Sequence, residues 1–395
     1  LISLDDGYNP ARSVEQVRKL VESENVLLVF NPIGTPTNAA VYKYLNQQKV
    51  PHLFVGSGAT RFNDPQHFPW TVSWTPHYFS EGKIYAKYML AVRPDAKVAI
   101  LSQNDDLGRD YVAGFKAGLG DKAARMVVKE VTYETTDPTV DSQIVTLKDS
   151  GADVFLNATT PKFGAQAIRK AYDIGWHPLH FVVSVASSTA TVLQPAGFAR
   201  AKGVITAAYQ RDAADPRWQN DPAMQQWTAW MAKYNPQADR GDYYNIYGYN
   251  LGFVLAHVLR QCGDELTREN VMRQATNLDM TAPLLLPGIR IKTTPTDFRP
   301  IKQMQLQRFL ILAGDRDQGL AVVGGRPPAP GGQLIVLHQL CRPGQVLLPL
   351  QEPASRILRQ LDGLAGTGID RCDARAHHGE HLGLTHAVRL QELLQ

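Results

Sequence analysis

The sequence predicts an α/β protein of two lobes, each built on a mostly parallel sheet flanked by helices. Short apolar runs alternate with amphipathic segments from residue 1 to residue 309. Apolar runs of this kind are typical of strands that are buried on both faces of a parallel sheet. The alternation stops after Val204–Thr206, where three helical segments follow one another without a strand between them. This break indicates that the chain passes from one lobe into another.

Runs rich in β-branched and apolar residues mark the predicted strands. They lie at Val26–Phe30, His52–Val55, Val98–Leu101, Val127–Thr132, Val154–Leu156, Phe181–Val183 and Val204–Thr206. A β-like segment follows the three helices, at Gly288–Lys292 and Lys302–Arg308. The opening residues, Leu1–Leu4, have the composition of a strand that the sequence enters part-way along its length.

Two start signals mark helices. Asn9-Pro10 and Asp137-Pro138 each place a capping side chain before a proline, which is favoured at the first helical position. Apolar residues at helical spacing follow both pairs. Further helices are predicted at Asn38–Gln47, Phe79–Val92, Leu107–Gly118, Phe163–Ile174, Pro222–Tyr234, Tyr244–Gln261 and Arg268–Thr276.

Composition argues against several classes of protein. The net charge is +4 and no run of Lys or Arg stands out, so nucleic acid is not the expected partner. No apolar stretch is long enough to span a bilayer. The sequence shows no signal peptide, but a first residue other than Met leaves open whether one precedes it. Before residue 310 the only cysteine is Cys262, so no disulfide is expected there.

Residues 310–395 differ from the rest of the chain. They contain no Lys, Tyr, Trp or Phe, yet they hold eight Arg and five of the eleven His. We predict that this tail is unrelated to the two lobes, and a shifted reading frame is one hypothesis for its origin. Four of its side chains could ligate a metal by composition, namely His377, His378, Glu380 and His381. We predict no physiological metal site there.

Two loops that follow predicted strands are candidates for anion binding. Gly34-Thr35-Pro36-Thr37 precedes a helix, and free backbone N–H groups at a helix start attract a carboxylate. The alternative is a plain capping turn. Gly56–Thr60 contains glycines that let a ligand approach the backbone, and the alternative there is a flexible loop. A dinucleotide fingerprint is not satisfied, because Phe62 follows where a final glycine is needed.

Five motifs occur in a fixed order along the chain. They are Leu4–Ala11, Phe30–Ala40, Val50–Thr60, Val98–Leu101 with Asn104–Gly108, and Thr136–Pro138 continuing to Leu147–Val154. In this order they resemble the leucine/isoleucine/valine-binding type of periplasmic solute-binding protein, which serves ABC importers. The resemblance covers about residues 1–309. It implies the type I periplasmic-binding fold, in which two lobes joined by three crossovers close on a small solute.

The resemblance also implies an arrangement of domains. Residues 1–75 and 212–285 would form the first lobe, and residues 76–211 and 286–309 the second. In that family the mature chain begins earlier, with a strand and a helix that this sequence lacks. We therefore expect an incomplete first lobe with exposed strand edges.

Candidate ligand contacts follow from the same resemblance. In that family the positions matching Gly58 and Thr60 bind the amino and carboxylate groups of an amino acid. We assign Thr35, Gly58, Ala59 and Thr60 of the first lobe to an anionic group of the solute. In the second lobe we assign Asp106, Thr159 and Ser184 to the solute. Val185 falls where amino-acid-binding relatives place a glutamate for the ligand's ammonium group. Burying an ammonium without a carboxylate is costly, so we expect a solute without a free α-amino group, unless Asp105 or Asp106 replaces that glutamate.

Aromatic residues are frequent near the expected cleft. They are Trp70, Trp74, Tyr78, Tyr209, Tyr244 and Tyr247. Core packing is the alternative role for any one of them. We single out Trp74 as a wall on the hinge side and Tyr247 as a ligand contact, because aromatic walls suit an aromatic or hydrophobic carboxylate.

These observations predict a monomeric, periplasmic receptor that delivers a small organic acid or amino-acid-like solute to an ABC permease. Two alternatives remain open at this point. One is a ligand-sensing regulatory domain on the same fold, and the other is an α/β enzyme. The enzyme would need a nucleophile and a base in the cleft, and the sequence contains no G-x-S-x-G elbow, P-loop or H-E-x-x-H pair. We therefore predict no enzymatic activity, no cofactor and no metal.

Overall fold

Two larger sheets and one two-stranded sheet organise the described part of the chain. The computed structural model describes residues 1–311 and the backbone of residues 320–325. Most of the predicted tail, including His377, His378, Glu380 and His381, lies outside the described residues. The first ten strands are β1 Val29–Phe30, β2 His52–Val55, β3 Thr71–Ser73, β4 Val98–Gln103, β5 Val127–Tyr133, β6 Val154–Ala158, β7 Leu179–Val182, β8 Ile205–Ala208, β9 Asp279–Met280 and β10 Ile291–Lys292. The last two are β11 Gln305–Ile311 and β12 Leu320–Gly325.

Helices cover both sheets. They are α1 Pro10–Arg18, α2 Thr35–Gln47, α3 Tyr78–Val92, α4 Asp106–Leu119, α5 Ala123–Met126, α6 Asp141–Asp149, α7 Pro161–Asp173, α8 Gln194–Ala196, α9 Phe198–Ala201, α10 Pro222–Tyr234, α11 Tyr243–Cys262 and α12 Arg268–Ala275. No helix in the described part of the chain is long and apolar enough to cross a bilayer.

The first sheet has the order β1-β2-β3 and is parallel. The second has the order β12-β11-β8-β7-β6-β4-β5, in which β5, β4, β6, β7 and β8 are parallel. Strand β11 joins it antiparallel to both β8 and β12. This architecture confirms the predicted α/β class. We call the first sheet with its helices the first lobe and the second sheet with its helices the second lobe.

The chain passes between the two sheets three times, after β3, after β8 and before β11. The passage after β8 pairs with the segment between β9 and β10: the Leu286 N–H donates to the carbonyl of Tyr209 at 2.9 Å, and the Arg211 N–H donates to the carbonyl of Leu284 at 2.8 Å. One predicted lobe boundary is moved. Ile291 and Ile301, expected in the second lobe, pack in the first-lobe core with Val72, because β10 pairs with β9 rather than with the large sheet.

Local capping explains where several helices begin. Asn9 accepts hydrogen bonds from the N–H groups of Ala11 and Arg12, as predicted for the start of α1. The second predicted start is wrong. Asp137 accepts the N–H of Glu134 and so closes a turn, and α6 begins only at Asp141.

Two further strand predictions differ from the structure. Leu1–Leu4 form no strand, and Leu1 is 88% exposed, because no neighbouring strand pairs with this segment. Strand β3 was not predicted; it is only three residues long and carries two polar side chains, Thr71 and Ser73. In the described residues β1 pairs only with β2, so its outer edge has no ladder partner.

Two buried histidines make the fold sensitive to acid. Burial lowers the pKa of His52 and that of His180 to about 3 in each case. The imidazole Nε2 of His52 lies 2.7 Å from Oδ1 of Asn38. Both folded-state pKa values lie below the unfolded value of about 6.5. The neutral rings therefore contribute their full stabilisation above about pH 6.5, and this contribution is lost as the pH falls toward 3.

We predict that the free energy of unfolding of His52→Gln falls less between pH 7 and pH 4.5 than that of the wild type. The difference should be on the order of 2 kcal/mol, since only the wild type must protonate this buried ring on unfolding. Urea unfolding at the two pH values measures it. The exposed His67, changed to Gln, serves as the control and should leave the pH dependence of the wild type intact. An equal pH dependence in His52→Gln would contradict the prediction.

Candidate functional site

A cavity of about 360 Å³ lies between the two lobes. Its lining from the first lobe and the crossovers consists of Tyr8, Ile33, Gly34, Thr35, Gly56, Thr75, Tyr209, Tyr243, Tyr244 and Tyr247. Its lining from the second lobe consists of Tyr78, Leu107, Thr135, Thr160, Pro161, Lys162, Phe163 and Val185. The volume suits a small organic molecule.

The topology explains why these residues meet. Gly56 follows β2, Thr160 follows β6 and Val185 follows β7, each within three residues of the strand end. The carboxyl ends of parallel strands lie on one edge of a sheet, and ligands of open α/β sheets bind outside that edge. Both sheets therefore present their carboxyl edges to the same cavity.

Helix N-termini also converge on the cavity. Helices α2, α3, α4, α7 and α11 each contribute a lining residue from their first two positions or their N-cap. Helix α2 has Gly34 as its N-cap and helix α7 has Thr160, and neither residue makes a side-chain capping hydrogen bond. The first N–H groups of both helices therefore have no capping side chain as acceptor. The positive ends of these helix dipoles favour an anion between the lobes.

Three threonines at the cavity share one local pattern. Thr35, Thr75 and Thr160 each follow a strand, precede a proline and lead into a helix. A fourth pair, Thr294-Pro295, follows β10 but leads into a turn and lies away from the cavity.

Tyrosine is the most frequent residue in the walls, with six of the eighteen described lining residues. The rings of Tyr244 and Tyr247 meet edge to face with centroids 5.9 Å apart. The Tyr244 hydroxyl donates to the carbonyl of Val185 at 3.1 Å, which joins the lobes, and the Tyr247 hydroxyl accepts from Nδ2 of Asn31 at 2.8 Å. Burial raises the pKa of both tyrosines, so they remain neutral phenols at physiological pH.

The Thr35 hydroxyl belongs to a small polar group on the first-lobe side. Its Oγ1 lies 2.8 Å from Oγ of Ser57, and Tyr78 lines the cavity beside Thr35. Burial raises the pKa of Tyr78 to about 12. The group supplies hydroxyl donors beside the start of α2, where an anion is favoured.

Among the described residues, Lys162 is the only charged side chain in the cavity lining. Its Nζ donates to the carbonyl of Asp137 at 3.2 Å and lies 4.7 Å from the ring centroid of Phe163. In the described residues no carboxylate lines the cavity, and no group of three or more His, Cys, Asp or Glu side chains could hold a metal ion. The electrostatic balance of the lining is therefore positive.

The two aspartates considered as partners for an ammonium group are engaged elsewhere. Asp105 caps α4 by accepting the N–H of Leu107 at 2.9 Å, and its other oxygen accepts from Gln103 at 2.6 Å. Asp106 pairs with Arg109 at 2.5 Å and also with Arg61. Neither carboxylate is in the lining.

The cavity lining includes two of the nine predicted ligand residues, Thr35 and Tyr247. The other seven lie outside it: Gly58, Ala59, Thr60, Trp74, Asp106, Thr159 and Ser184. In four places the next residue along the chain lines the cavity instead, namely Thr75, Leu107, Thr160 and Val185.

In the first lobe, packing explains the displaced residues. A Cβ on Gly58 would lie 2.0 Å from the carbonyl oxygen of Pro76, so this glycine serves a close backbone contact. Ala59 is fully buried in the core. The N–H of Thr60 donates to Oδ2 of Asp110 at 2.6 Å. Trp74 is fully buried and packs edge to face on Phe54, with ring centroids 5.6 Å apart.

In the second lobe, hydrogen bonds turn the predicted side chains inward. The Thr159 hydroxyl donates to Oδ1 of Asn157 at 2.7 Å, and both residues are fully buried. The Ser184 hydroxyl donates to Oε2 of Glu81 at 2.8 Å, and the Ser184 N–H donates to Oε1 at 2.7 Å. Both bonds direct Ser184 away from the cavity and leave Val185 to face it.

Glu81 is fully buried and anchors this wall. Besides Ser184, it accepts hydrogen bonds from the hydroxyls of Tyr85 at 2.6 Å and Tyr111 at 2.9 Å. Burial raises the pKa of Glu81, and these donors oppose that shift. The carboxylate thus links α3, α4 and the loop that carries Val185.

Sequence reasoning missed several lining residues with chemistry of their own, among them Tyr8, Thr160, Lys162 and Phe163. The repeated Thr-Pro pattern at strand ends is a signal that could have located Lys162 and Phe163, which follow Thr160-Pro161. Tyr8 carried no such signal, because it lies in a turn that precedes α1.

Comparison with known proteins agrees with this geometry. A family model described as periplasmic binding protein matches residues 1–314. The chain belongs to this family of periplasmic binding proteins. The tail was predicted to begin at residue 310, but the family match continues to residue 314. Strand β11 likewise continues to Ile311. A search of curated proteins found no significant match.

Solved structures of periplasmic binding proteins share the fold. A possible leucine/isoleucine/valine-binding protein from Rhodopirellula baltica is 20% identical, with a TM-score of 0.68 over 82% of this chain and 84% of that chain. A solute-binding protein of an ABC transporter from Rhodopseudomonas palustris, in complex with 3,4-dihydroxybenzoic acid, is 18% identical, with a TM-score of 0.68 over 82% and 84%. A branched-chain amino acid ABC transporter protein from Thermus thermophilus with bound valine is 16% identical, with a TM-score of 0.67 over 81% and 82%. These likenesses confirm the predicted type I fold.

We predict that Glu81→Ala lowers the free energy of unfolding by about 3 kcal/mol, because it leaves buried donors of three residues without an acceptor. Chemical denaturation at pH 7 measures the loss. Glu130→Ala is the matched control; it removes an exposed carboxylate that pairs with Lys116, and it should cost less than about 1 kcal/mol. Equal losses for the two variants would contradict the role of Glu81.

Proposed function

We propose that this periplasmic binding protein is the solute receptor of an ABC importer and that its solute is a small aromatic carboxylate. The observation that carries the proposal is the lining of the cavity between the lobes. It combines tyrosine walls with uncapped helix N-termini and one lysine, and none of its described residues carries a carboxylate. The related protein from R. palustris, which binds 3,4-dihydroxybenzoic acid, supports the same class of solute.

The carboxylate of the solute would lie between the starts of α2 and α7. Thr35 supplies a hydroxyl from the first lobe, and Thr160 and Lys162 supply a hydroxyl and a cation from the second. The aromatic ring would lie against Tyr244, Tyr247 and their neighbours, where apolar ring faces exclude water. A solute that contacts both lobes stabilises the closed conformation and so shifts the population from the open toward the closed form.

An α-amino acid fits this lining less well. Its ammonium group would lose water without gaining a carboxylate, since Val185 is apolar and Asp105 and Asp106 are engaged elsewhere. Such a buried, unpaired charge costs several kcal/mol, on the order of 3 or more. The lining thus favours acids without an amino group.

A binding panel tests the proposal on the full chain. We expect benzoate, 4-hydroxybenzoate or 3,4-dihydroxybenzoate to raise the melting temperature and to give a calorimetric binding signal, whereas leucine and valine give neither. An acid at a concentration of about 100 times its dissociation constant should stabilise the folded state by about 2.7 kcal/mol. Tight binding of leucine, or no binding by any aromatic acid, would refute the proposed solute class.

Lys162→Met should weaken the binding of an aromatic acid about fivefold, because it removes the only cation of the lining while keeping an apolar side chain of similar length. Isothermal titration of wild type and variant with the same acid measures the change. Lys148→Met is the matched control, since Lys148 also donates to a backbone carbonyl, that of Ile174, but lies away from the cavity. Equal affinities for wild type and Lys162→Met would rule out a role for this lysine.

A further inference from the structure

Two residues that were predicted to contact the solute, Thr60 and Asp106, instead lie at a contact between the lobes. Thr60 begins a short 3-10 turn, Thr60–Phe62, which lies between β2 and β3 of the first lobe. Asp106 is the first residue of α4 in the second lobe. The N–H of Thr60 donates to Oδ2 of Asp110 at 2.6 Å. Nε of Arg61 pairs with Oδ2 of Asp106, so two polar contacts join this turn to α4.

The two aspartates of this contact lie on one face of α4. Asp106 and Asp110 are four residues apart, a spacing that places helical side chains next to each other. Two carboxylates at this spacing repel each other, so a cation or an N–H donor beside them is stabilising. The first lobe supplies one of each, the guanidinium of Arg61 and the N–H of Thr60.

Aromatic contacts within the first lobe position Arg61. Its guanidinium carbon lies 5.8 Å from the ring centroid of Tyr42, a residue of α2. The next residue, Phe62, is fully buried and packs edge to face on the same ring, with centroids 5.7 Å apart. The turn is therefore fixed on α2, and the charge that Arg61 presents to α4 belongs to the first lobe.

Asp106 has a cationic partner in each lobe. Its Oδ1 accepts from Arg109 of the same helix at 2.5 Å, while its Oδ2 pairs with Arg61 of the first lobe. The side chains of Arg61 and Asp106 are 38% and 18% exposed, so water and salt screen their attraction only in part. Leu107, directly after Asp106, lines the cavity. The interlobe ion pair, Arg61 with Asp106, is thus one residue away from the cavity wall.

From these contacts we propose that Arg61 is a positioning residue for the solute: its ion pair with Asp106 holds the lobes together and slows the escape of a bound acid. The inference rests on the proposed solute cavity and deepens it. Arg61 does not line the cavity, so it acts through Asp106. Loss of the pair should favour the open conformation. It should change association less than dissociation, because the open form is the one that admits solute.

Arg61→Met tests this role, because it removes the charge and keeps an apolar chain beside Tyr42. The probe is 3,4-dihydroxybenzoate, and its dissociation from the full chain is followed by stopped flow. At about 20 mM NaCl we expect dissociation to become about threefold faster, within the range for a partly exposed ion pair. The association rate should stay within about twofold of the wild type. At about 1 M NaCl the dissociation rates of variant and wild type should converge, because salt screens the pair.

Arg109→Met is the matched control. It also removes a cation that pairs with Asp106, but Arg109 belongs to α4 itself, so its loss breaks no contact between the lobes. We expect its dissociation rate to equal that of the wild type. Both variants lower the net charge by the same amount, so a general loss of attraction for an anion would affect them equally. Equal acceleration in Arg61→Met and Arg109→Met would overturn the inference.

Hydrogen exchange without solute separates this inference from the proposed function. The N–H of Tyr243, in the first lobe, donates to Oγ of Ser188 in the second at 3.4 Å, so its exchange reports on separation of the lobes. We expect about threefold faster exchange in Arg61→Met and no change in Arg109→Met. If wild type binds no aromatic acid, the proposed function fails, and exchange alone decides the role of Arg61. Unchanged exchange in Arg61→Met overturns the inference, and so does unchanged dissociation where the probe binds.

Discussion

Several helix N-termini point into the space between the two sheet edges, and their positive electrostatic potential determines which solutes the cavity can bind. Parallel strands end on one edge of a sheet, and each is followed by a helix whose first N–H groups point back toward that edge. With two such sheets facing each other, helices α2 and α7 direct uncapped starts at one space. No described carboxylate lines that space. A bound anion is therefore the group best suited to accept hydrogen bonds from the free N–H groups of these helix starts.

Hydrogen-bonded polar groups, most of them neutral, surround the helix N-termini and fix the positions of the cavity walls. Glu81 is a buried carboxylate, but its acceptors are occupied by Tyr85, Tyr111 and Ser184. Tyr78, Tyr244 and Tyr247 stay protonated because burial raises the pKa of each. The solute therefore meets fixed dipoles and hydroxyls that require no change in protonation. Such preorganised groups bind an anion with little reorganisation.

Strand and helix periodicity predicted most of the architecture. The bounds of β2 and α10 agree with the prediction, and the pause after β8 does mark a passage between sheets. The boundary after residue 285 was misplaced because β10 finds its partner in β9, a pairing that local sequence does not encode. Strand β3 escaped prediction because its three residues include polar side chains whose burial is decided by neighbours distant in sequence.

The sequence located most of the loops that line the cavity, but it did not identify which side chain in each loop faces the cavity. At Trp74, Asp106, Thr159 and Ser184 the residue that lines the cavity is the next one. Neighbouring side chains point in different directions in strands and in helices, so an error of one residue changes the side chain that faces the cavity. Which of the two faces the cleft depends on remote partners such as Glu81 for Ser184. Tyr8 depends on a turn whose position over Gly34 is likewise a tertiary property.

The most direct measurement compares a carboxylate with its neutral isostere, using calorimetry on 4-hydroxybenzoate and 4-hydroxybenzamide under one set of conditions. The two molecules have nearly the same shape and ring, so their difference in affinity reports the preference of the cavity for an anion. The account predicts that the acid binds at least tenfold more tightly, which corresponds to about 1.4 kcal/mol. Equal affinities, or tighter binding of the amide, would contradict it.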